Sequence, residues 1–538
     1  MKLREGLSAL SKSSPYAVTT NLRADFPEFD ALKKYLFVET DIEREFRKRI
    51  QSLEPNQILF LCGSSGDGKS EIMTRYNRQY SECIDFHLDA THSFHPKMTA
   101  IDTLDKVFSK HKENGRPLAV GINIGMLGNY AEEGSGQHDD IRQTIKKFLN
   151  TKKADQNNCF YLDFELFPKF DLSADDNTSD FLKQLLTKVT ASTDDNPIFR
   201  MYKKEQGIGD TILCTNYQLL SITQVQDVIF DLLLKARLEK DQFISTRSLL
   251  DFIHILLAGP GYIFDNLFSD SDNELGMKIT DFDPCAIRSK NLDMFILQRQ
   301  LELPSEEFEQ FSRDLLDYKI NYARKKVKEY SLVRLFYLLK DLDFSNNFHH
   351  KFKKEFNDSL IENYANYANF WNLNSNYDGE LKEKAELKAF YKNVVLASIN
   401  LYANRNSKNL DGDEFFISAH GNWQLTAKLE LSVDYGAIKK SEELKLGYFN
   451  AYVKVADKQL EPIPISINLL DLMYRIVRGY RPNKHDKNTV VLLDEIVDQI
   501  VEIANASNIL YLHDNNLRIK LKQVDEDDIE VEYRHVKY

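Results

Sequence analysis

Gly63-Ser64-Ser65-Gly66-Asp67-Gly68-Lys69-Ser70 fits the spacing G-x-x-x-x-G-K-[ST] without a mismatch. The apolar run Ile58-Leu59-Phe60-Leu61-Cys62 precedes it and a helix-forming run follows it, the strand–loop–helix setting that this spacing needs. Small residues let successive backbone N–H groups turn inward, and the helix N-terminus adds partial positive charge, so such a loop surrounds phosphate. Lys69 can reach β and γ phosphates, and the Ser70 hydroxyl can take one position on magnesium. The ligand that fits this chemistry is a nucleoside triphosphate, ATP, with Mg2+. The bland alternative, a glycine-rich turn with a chance Lys-Ser, leaves the matching strand and helix unexplained.

A magnesium–nucleotide site usually draws a second metal contact from an acid at the end of another strand. Asp89 ends the run 84–89, and Asp163 ends the apolar run 159–163. Asp89 is the first choice and Asp163 the alternative. Asp494, in Val490-Val491-Leu492-Leu493-Asp494-Glu495, is set aside: Val490, Leu493, Val497, Ile500 and Val501 recur at helical spacing. In five-strand ATPases of the AAA+ type the metal acid lies on the third strand, which here carries Asn123 and no acid. Either the strand count is shifted or the metal site is degenerate. Asn123 suits a polar sensor near the γ phosphate. Arg247, at a helix start in Ser245-Thr246-Arg247, suits a phosphate-sensing lid arginine, although an exposed helical arginine reads equally well. Arg288 is a weaker candidate for an arginine acting on a neighbouring site.

These side chains need a sheet to hold them. Strands are expected at 58–62, 84–89, 118–124, 159–165 and 211–214, with helices at 69–80, 99–111, 139–151 and 179–190 between them. Alternating strands and helices imply a parallel sheet covered on both faces. The reading is an α/β P-loop NTPase domain, AAA+-like, at 55–216, after an N-terminal helical extension at 1–54. A mostly helical lid or middle region follows at 217–403. A small α+β domain, 404–538, closes the chain, with a hairpin turning at Asp514-Asn515-Asn516.

Composition narrows the function classes. With 538 residues the chain has material for about three domains. A formal net charge of −12 argues against a protein that simply coats nucleic acid. The five cysteines Cys62, Cys83, Cys159, Cys214 and Cys285 form no C-x-x-C pair, which points to reduced thiols in a reducing compartment and not to zinc. No run is long and apolar enough to span a bilayer, and the opening residues lack the apolar core of a signal peptide. A cytoplasmic protein with no membrane partner is expected.

Several further groups have bland readings beside functional ones. Arg478-Gly479-Tyr480-Arg481-Pro482-Asn483-Lys484-His485 could touch nucleic-acid phosphate, as could Tyr322-Ala323-Arg324-Lys325-Lys326-Val327-Lys328. Charge runs are more often solvated faces. Tyr364, Tyr367 and Trp371 form a helical aromatic stripe, more often core than base platform. Asp378-Gly379-Glu380-Leu381-Lys382 superficially matches a nuclease cluster, but its surroundings are polar, so it is read as chance.

Several blocks resemble the DptF (DndF) family, the ATPase-like components of bacterial DNA phosphorothioation-dependent restriction systems. They are Leu3-Arg4-Glu5, the run 7–18, the loop with its flanks at 61–71, the run 88–94, the run 120–127, and Tyr480-Arg481-Pro482-Asn483-Lys484. The resemblance implies an antiviral-defence subunit that binds and turns over ATP. It would act with a companion G component and a helicase-like H component on DNA that lacks backbone sulfur. Separately, an acidic chain with one nucleotide site and no recognisable nuclease cluster is not expected to cut DNA alone. A signalling or scaffold ATPase without a DNA role, and a nucleotide-binding module with little hydrolysis, stand as alternatives.

Overall fold

The computed structural model describes residues 1–12, 27–64, 66–90, 98–151, 155–167, 179–240, 244–322, 327–357, 359–407, 410, 413–440, 448–456, 458–483, 486–514, 517–524 and 528–535. The chain divides into two compact units, Met1–Glu362 and Asn363–Tyr538.

The first unit contains a parallel sheet of four strands: β1 (Ile58–Cys62), β2 (Asp85–His87), β3 (Leu118–Ile122) and β5 (Cys159–Asp163). Their order is β2-β3-β1-β5, and the two-residue β4 (Asp155–Gln156) adds an antiparallel edge. β1 and β3 are buried at every position, as strands covered on both faces must be. Alternate residues of β1 divide between two cores. Ile58, Phe60 and Cys62 pack with Leu104, Phe108, Leu127, Tyr130, Ile145 and Phe148, from the helices Ala100–Asn114, Ile124–Glu133 and Asp139–Thr151. Leu59 and Leu61 pack with Ile42, Phe46, Ile50, Ile72, Met73 and Tyr76, from the helices Asp41–Gln51 and Lys69–Tyr80.

The expected fifth strand at 211–214 is instead the first turn of the helix Thr211–Leu220. Asp210 accepts hydrogen bonds from the N–H groups of Ile212 and Leu213, an N-cap that starts a helix and not a strand. Leu213, Tyr217 and Leu220 then fall on one buried face at helical spacing. The parallel part of the sheet is therefore four strands, and from Asp180 the described elements of the unit are all helices.

One of these helices, Thr246–Ala258, is held at several points. Arg4 donates to the carbonyl of Ala258 at 2.7 Å, and Asp251 accepts from the Lys12 N–H and from Asn273. Farther along, Phe295, Phe308, Phe311, Phe336, Phe348 and Phe352 form a continuous set of ring contacts.

The second unit carries the end of the helix Ser359–Ser375, a helical run from Leu381 to Ala403, and antiparallel sheets. The largest sheet has the strand order Ile529–His535, Leu517–Gln523, Ile509–His513, Trp423–Lys428, Glu414–His420. The expected hairpin is present, with Ile509–His513 antiparallel to Leu517–Gln523. Residues 490–495 lie inside the helix Lys487–Asn505, where Leu493, Ile496 and Ile500 are buried. Among the described residues no helix is long and apolar enough to cross a membrane.

Candidate phosphate-binding site

The loop 63–70 leaves the C-terminal end of β1 and runs into the helix Lys69–Tyr80. This edge of an open parallel sheet is where such folds take ligands. Gly66 and Gly68 have φ of 88° and 102°, the left-handed region that glycine enters without penalty. Ser65 lies outside the described residues. The Lys69 ammonium donates to the carbonyls of Gly63 at 2.9 Å and Ser64 at 2.5 Å, so its charge is folded over the loop. Burial pulls its pKa below the ordinary lysine value, while Asp67, Asp89, Cys62 and Asp163 act in the opposite direction. The amine thus lies in the field of the two acids weighed as metal ligands. Ser70 is exposed at the start of the helix.

Strand register sets the other groups around it. Asp163 pairs in register with Cys62, and the Gly63 N–H donates to Ile122 O at 3.3 Å. Asn123 therefore follows the strand on one side of the loop, and Asp163 ends the strand on the other. Asp89 lies one strand farther out, beyond β2. The Ala90 N–H donates to Gly121 O, and a side chain at Gly121 would come within 2.6 Å of Leu88 O. A glycine at 121 is what lets the chain at 88–90 run this close to β3.

The candidate residues differ in how far they are already committed. Asp163 is fully buried, and its Oδ1 accepts from the Glu165 N–H at 3.1 Å. Asp89 is half-buried. Asn123 is the N-cap of the helix Ile124–Glu133, its carboxamide oxygen accepting from the Met126 N–H at 2.6 Å. The donor half of that carboxamide is the part the cap does not use.

Arg247 is brought to the loop. Its backbone N–H donates to Gly66 O at 3.1 Å, the Thr246 hydroxyl donates to Asp67 O at 3.2 Å, and the Arg247 Cβ lies 3.2 Å from where a Gly66 Cβ would stand. The Arg247 side chain is exposed. Arg288 is exposed as well and lies 3.9 Å from Asp293.

Asp67 has a structural part that its place in the motif does not suggest. Its carboxylate turns into the loop and accepts from the Ser64 N–H at 2.6 Å, and the side chain is 3% exposed. An acid among the small residues of a phosphate cradle was the visible signal.

The remaining groups have structural surroundings. Asp378 Oδ1 accepts from the Glu380 N–H, and Glu380 begins the helix Leu381–Phe390 with its side chain exposed. Among the described residues no group of three His, Cys, Asp or Glu is placed to hold a metal. Tyr367 is buried and donates to Asp471, and the half-buried Trp371 meets the buried Phe449 edge-on, so the stripe packs against neighbours within the unit. Nothing is described of the Tyr364 side chain. In the run at 322–328, Tyr322 is buried against Ser312 and residues 323–326 lie outside the described residues. Compared with protein families, with characterised proteins and with solved structures, the chain matches none.

Proposed function

We propose that the chain is an AAA+-like P-loop ATPase that binds ATP with magnesium at 63–70, and that its nucleotide state controls a phosphorothioation-dependent DNA restriction complex in the cytoplasm. The observation that carries the nucleotide reading is the position of Lys69. Its ammonium lies over a glycine-turned loop, at the C-terminal edge of a parallel sheet, in the field of Asp89 and Asp163. The donor set fits magnesium: an exposed hydroxyl at Ser70 and a half-buried carboxylate at Asp89. Bound there, the metal would neutralise phosphate charge.

Strand order supports Asp89 over Asp163. β3 lies between β1 and β2, so the acid beyond β2 is two strand spacings from the loop strand, roughly 10 Å. That separation leaves room for a metal and its waters, whereas Asp163 stands on the adjacent strand, buried and already accepting a hydrogen bond. The strand leading to Asp89 then does the work of the metal strand, and the intervening strand delivers Asn123 as the polar sensor. The missing acid on β3 is thereby explained by a shifted strand count. Arg247, attached to the loop through its backbone, is the residue for reporting γ phosphate to the helix Thr246–Ala258.

Membership of a restriction complex, with G and H companions and DNA as partners, rests on the residue blocks quoted from the sequence. A nucleotide-binding module with little turnover remains the second reading, favoured by the Asp67 carboxylate inside the cradle. Single-turnover ATP hydrolysis with and without DNA separates these. DNA-stimulated turnover supports the leading reading, DNA-independent turnover a scaffold ATPase, and tight binding without turnover the module.

A further inference from the structure

The largest sheet of the second unit ends in the strand Ile529–His535, and among the described residues no strand pairs with its outer edge. Its sequence alternates strictly. Ile529, Val531 and Tyr533 share one face and are 64%, 56% and 73% exposed. They continue an apolar face, since Val531 lies opposite Leu521 and Tyr533 opposite Ile519, which in turn oppose Leu510 and Leu512. A long edge strand with an exposed apolar stripe is a template for further pairing unless something covers it.

The charges on the opposite face say what fits there. Glu530 and Glu532 face Lys522 and Lys520 on the neighbouring strand, at 3.5 and 3.3 Å. Arg534 instead lies opposite Arg518, whose acid is Glu414. Like charges directly opposite each other destabilise a sheet pair. Among the described residues no carboxylate pairs with Arg534. An acid arriving on the outer edge beside Arg534 would offset that repulsion.

We propose that this edge pairs, antiparallel, with the same strand of a second copy of the chain, about a two-fold axis through Tyr533. A closed two-fold contact requires each strand to complement itself. With the axis at Tyr533, Glu532 lies opposite Arg534 of the second copy, and the symmetric pair forms equally. An axis through Val531 sets Glu530 against Glu532 of the second copy. An axis through Glu532 pairs Glu530 with Arg534 but sets Glu532 against itself. The Tyr533 register alone among these has only attractive charge pairs, and it keeps both apolar stripes on one face. The two five-stranded sheets would then run on as one.

The test is the mass of the full chain in solution by sedimentation, over a concentration series. Wild type should pass from monomer to dimer. Glu532→Arg and Arg534→Glu should each weaken the dimer by about tenfold or more, because each creates two like-charge contacts. The double variant should recover most of the loss. Circular dichroism checks that each variant folds, and amide exchange of wild type supplies a readout without mutation: protection at 529–535 should rise with concentration. A chain that stays monomeric overturns the proposal, and would leave the stripe to a different protein. A dimer indifferent to both single changes, a double variant as weak as the singles, or edge-strand protection independent of concentration would also overturn it.

Discussion

Two loops in this molecule combine glycine, lysine or arginine, and hydroxyl groups, and they are built in opposite senses. In the loop 63–70 the cation points inward: Lys69 reaches back to two carbonyls of its own loop, and acids stand around it. In the loop 478–486 the inside belongs to an acid. Asp486 accepts from Arg475 at 2.7 Å, from the Tyr480 hydroxyl at 2.8 Å and from the Asn483 N–H at 2.9 Å, while Arg475 lies over the Tyr480 ring. Arg478 and Arg481 are left exposed. The first arrangement gathers donors around a small volume. The second holds its backbone on Asp486 and turns Arg478 and Arg481 to solvent. Both loops turn an acid inward, Asp67 and Asp486, so residue types alone would not separate them; the position of the cation does.

The largest expected effect in sharpening this contrast is on turnover. Asp89→Ala should slow hydrolysis by about 100-fold or more with little change in ATP affinity, because a metal-positioning acid acts on the barrier. Asp163→Ala should slow it less and should lower the melting temperature, since it removes a fully buried hydrogen-bonded acid. Single-turnover rates beside binding isotherms make the comparison. If only the Asp163 variant loses turnover, the metal strand is β5.

Next comes the acid inside the cradle. Asp67→Asn keeps an acceptor for the Ser64 N–H and removes the charge, so ATP affinity should rise by about tenfold at low ionic strength, less at high salt. Unchanged or weaker affinity at both would show that the carboxylate is not opposing phosphate.

In the other loop, Asp486→Ala should speed amide exchange across 478–483 by about tenfold and leave ATP binding untouched. Burial opposes ionisation of Asp486, but hydrogen bonds from Asn483, Tyr480 and Arg475 win and hold it below the usual carboxylate range. Its contribution is therefore complete above the unfolded carboxylate pKa of about 4 and is lost as pH falls through the lower folded value. Loop protection that fades already at neutral pH would contradict this.

The smallest effect is expected at Arg247. Arg247→Ala should leave ADP affinity intact and weaken ATP affinity by only about threefold to tenfold, because the backbone contact to Gly66 survives. Equal losses for ADP and ATP would remove it as a γ-phosphate sensor.

How much of this was legible in the sequence depended on how local the cause was. β1 and the loop could be read because an apolar strand, glycines at fixed offsets and a following helix are short-range signals. The helix Lys487–Asn505 could be read from its spacing, against the acid-ended string inside it. Thr211–Leu220 was misread because Thr-Ile-Leu-Cys suits a strand until the capping role of Asp210 is considered. Phe348, His349 and Phe352 lie in a stretch dense in Asp, Asn and Lys and join the phenylalanine core through contacts with distant helices, which no local pattern encodes. Strand order was beyond the sequence, yet it is what sets Asp89 one strand farther from the loop than Asp163. The helix start at Arg247 lies far from the loop in the chain, and only folding brings Thr246 and Arg247 onto Gly66 and Asp67.

The most direct measurement is ATP affinity in the presence of magnesium, by calorimetry, for wild type and for Lys69→Ala. Lys69 is half-buried and its amine donates to the carbonyls of Gly63 and Ser64 in its own loop, so the variant should melt near the wild-type temperature. We expect wild type to bind and the variant to lose about 100-fold in affinity, the loss of charge-assisted contacts to phosphate. A folded Lys69→Ala chain that binds ATP as tightly as wild type would contradict the assignment of 63–70 as the phosphate site.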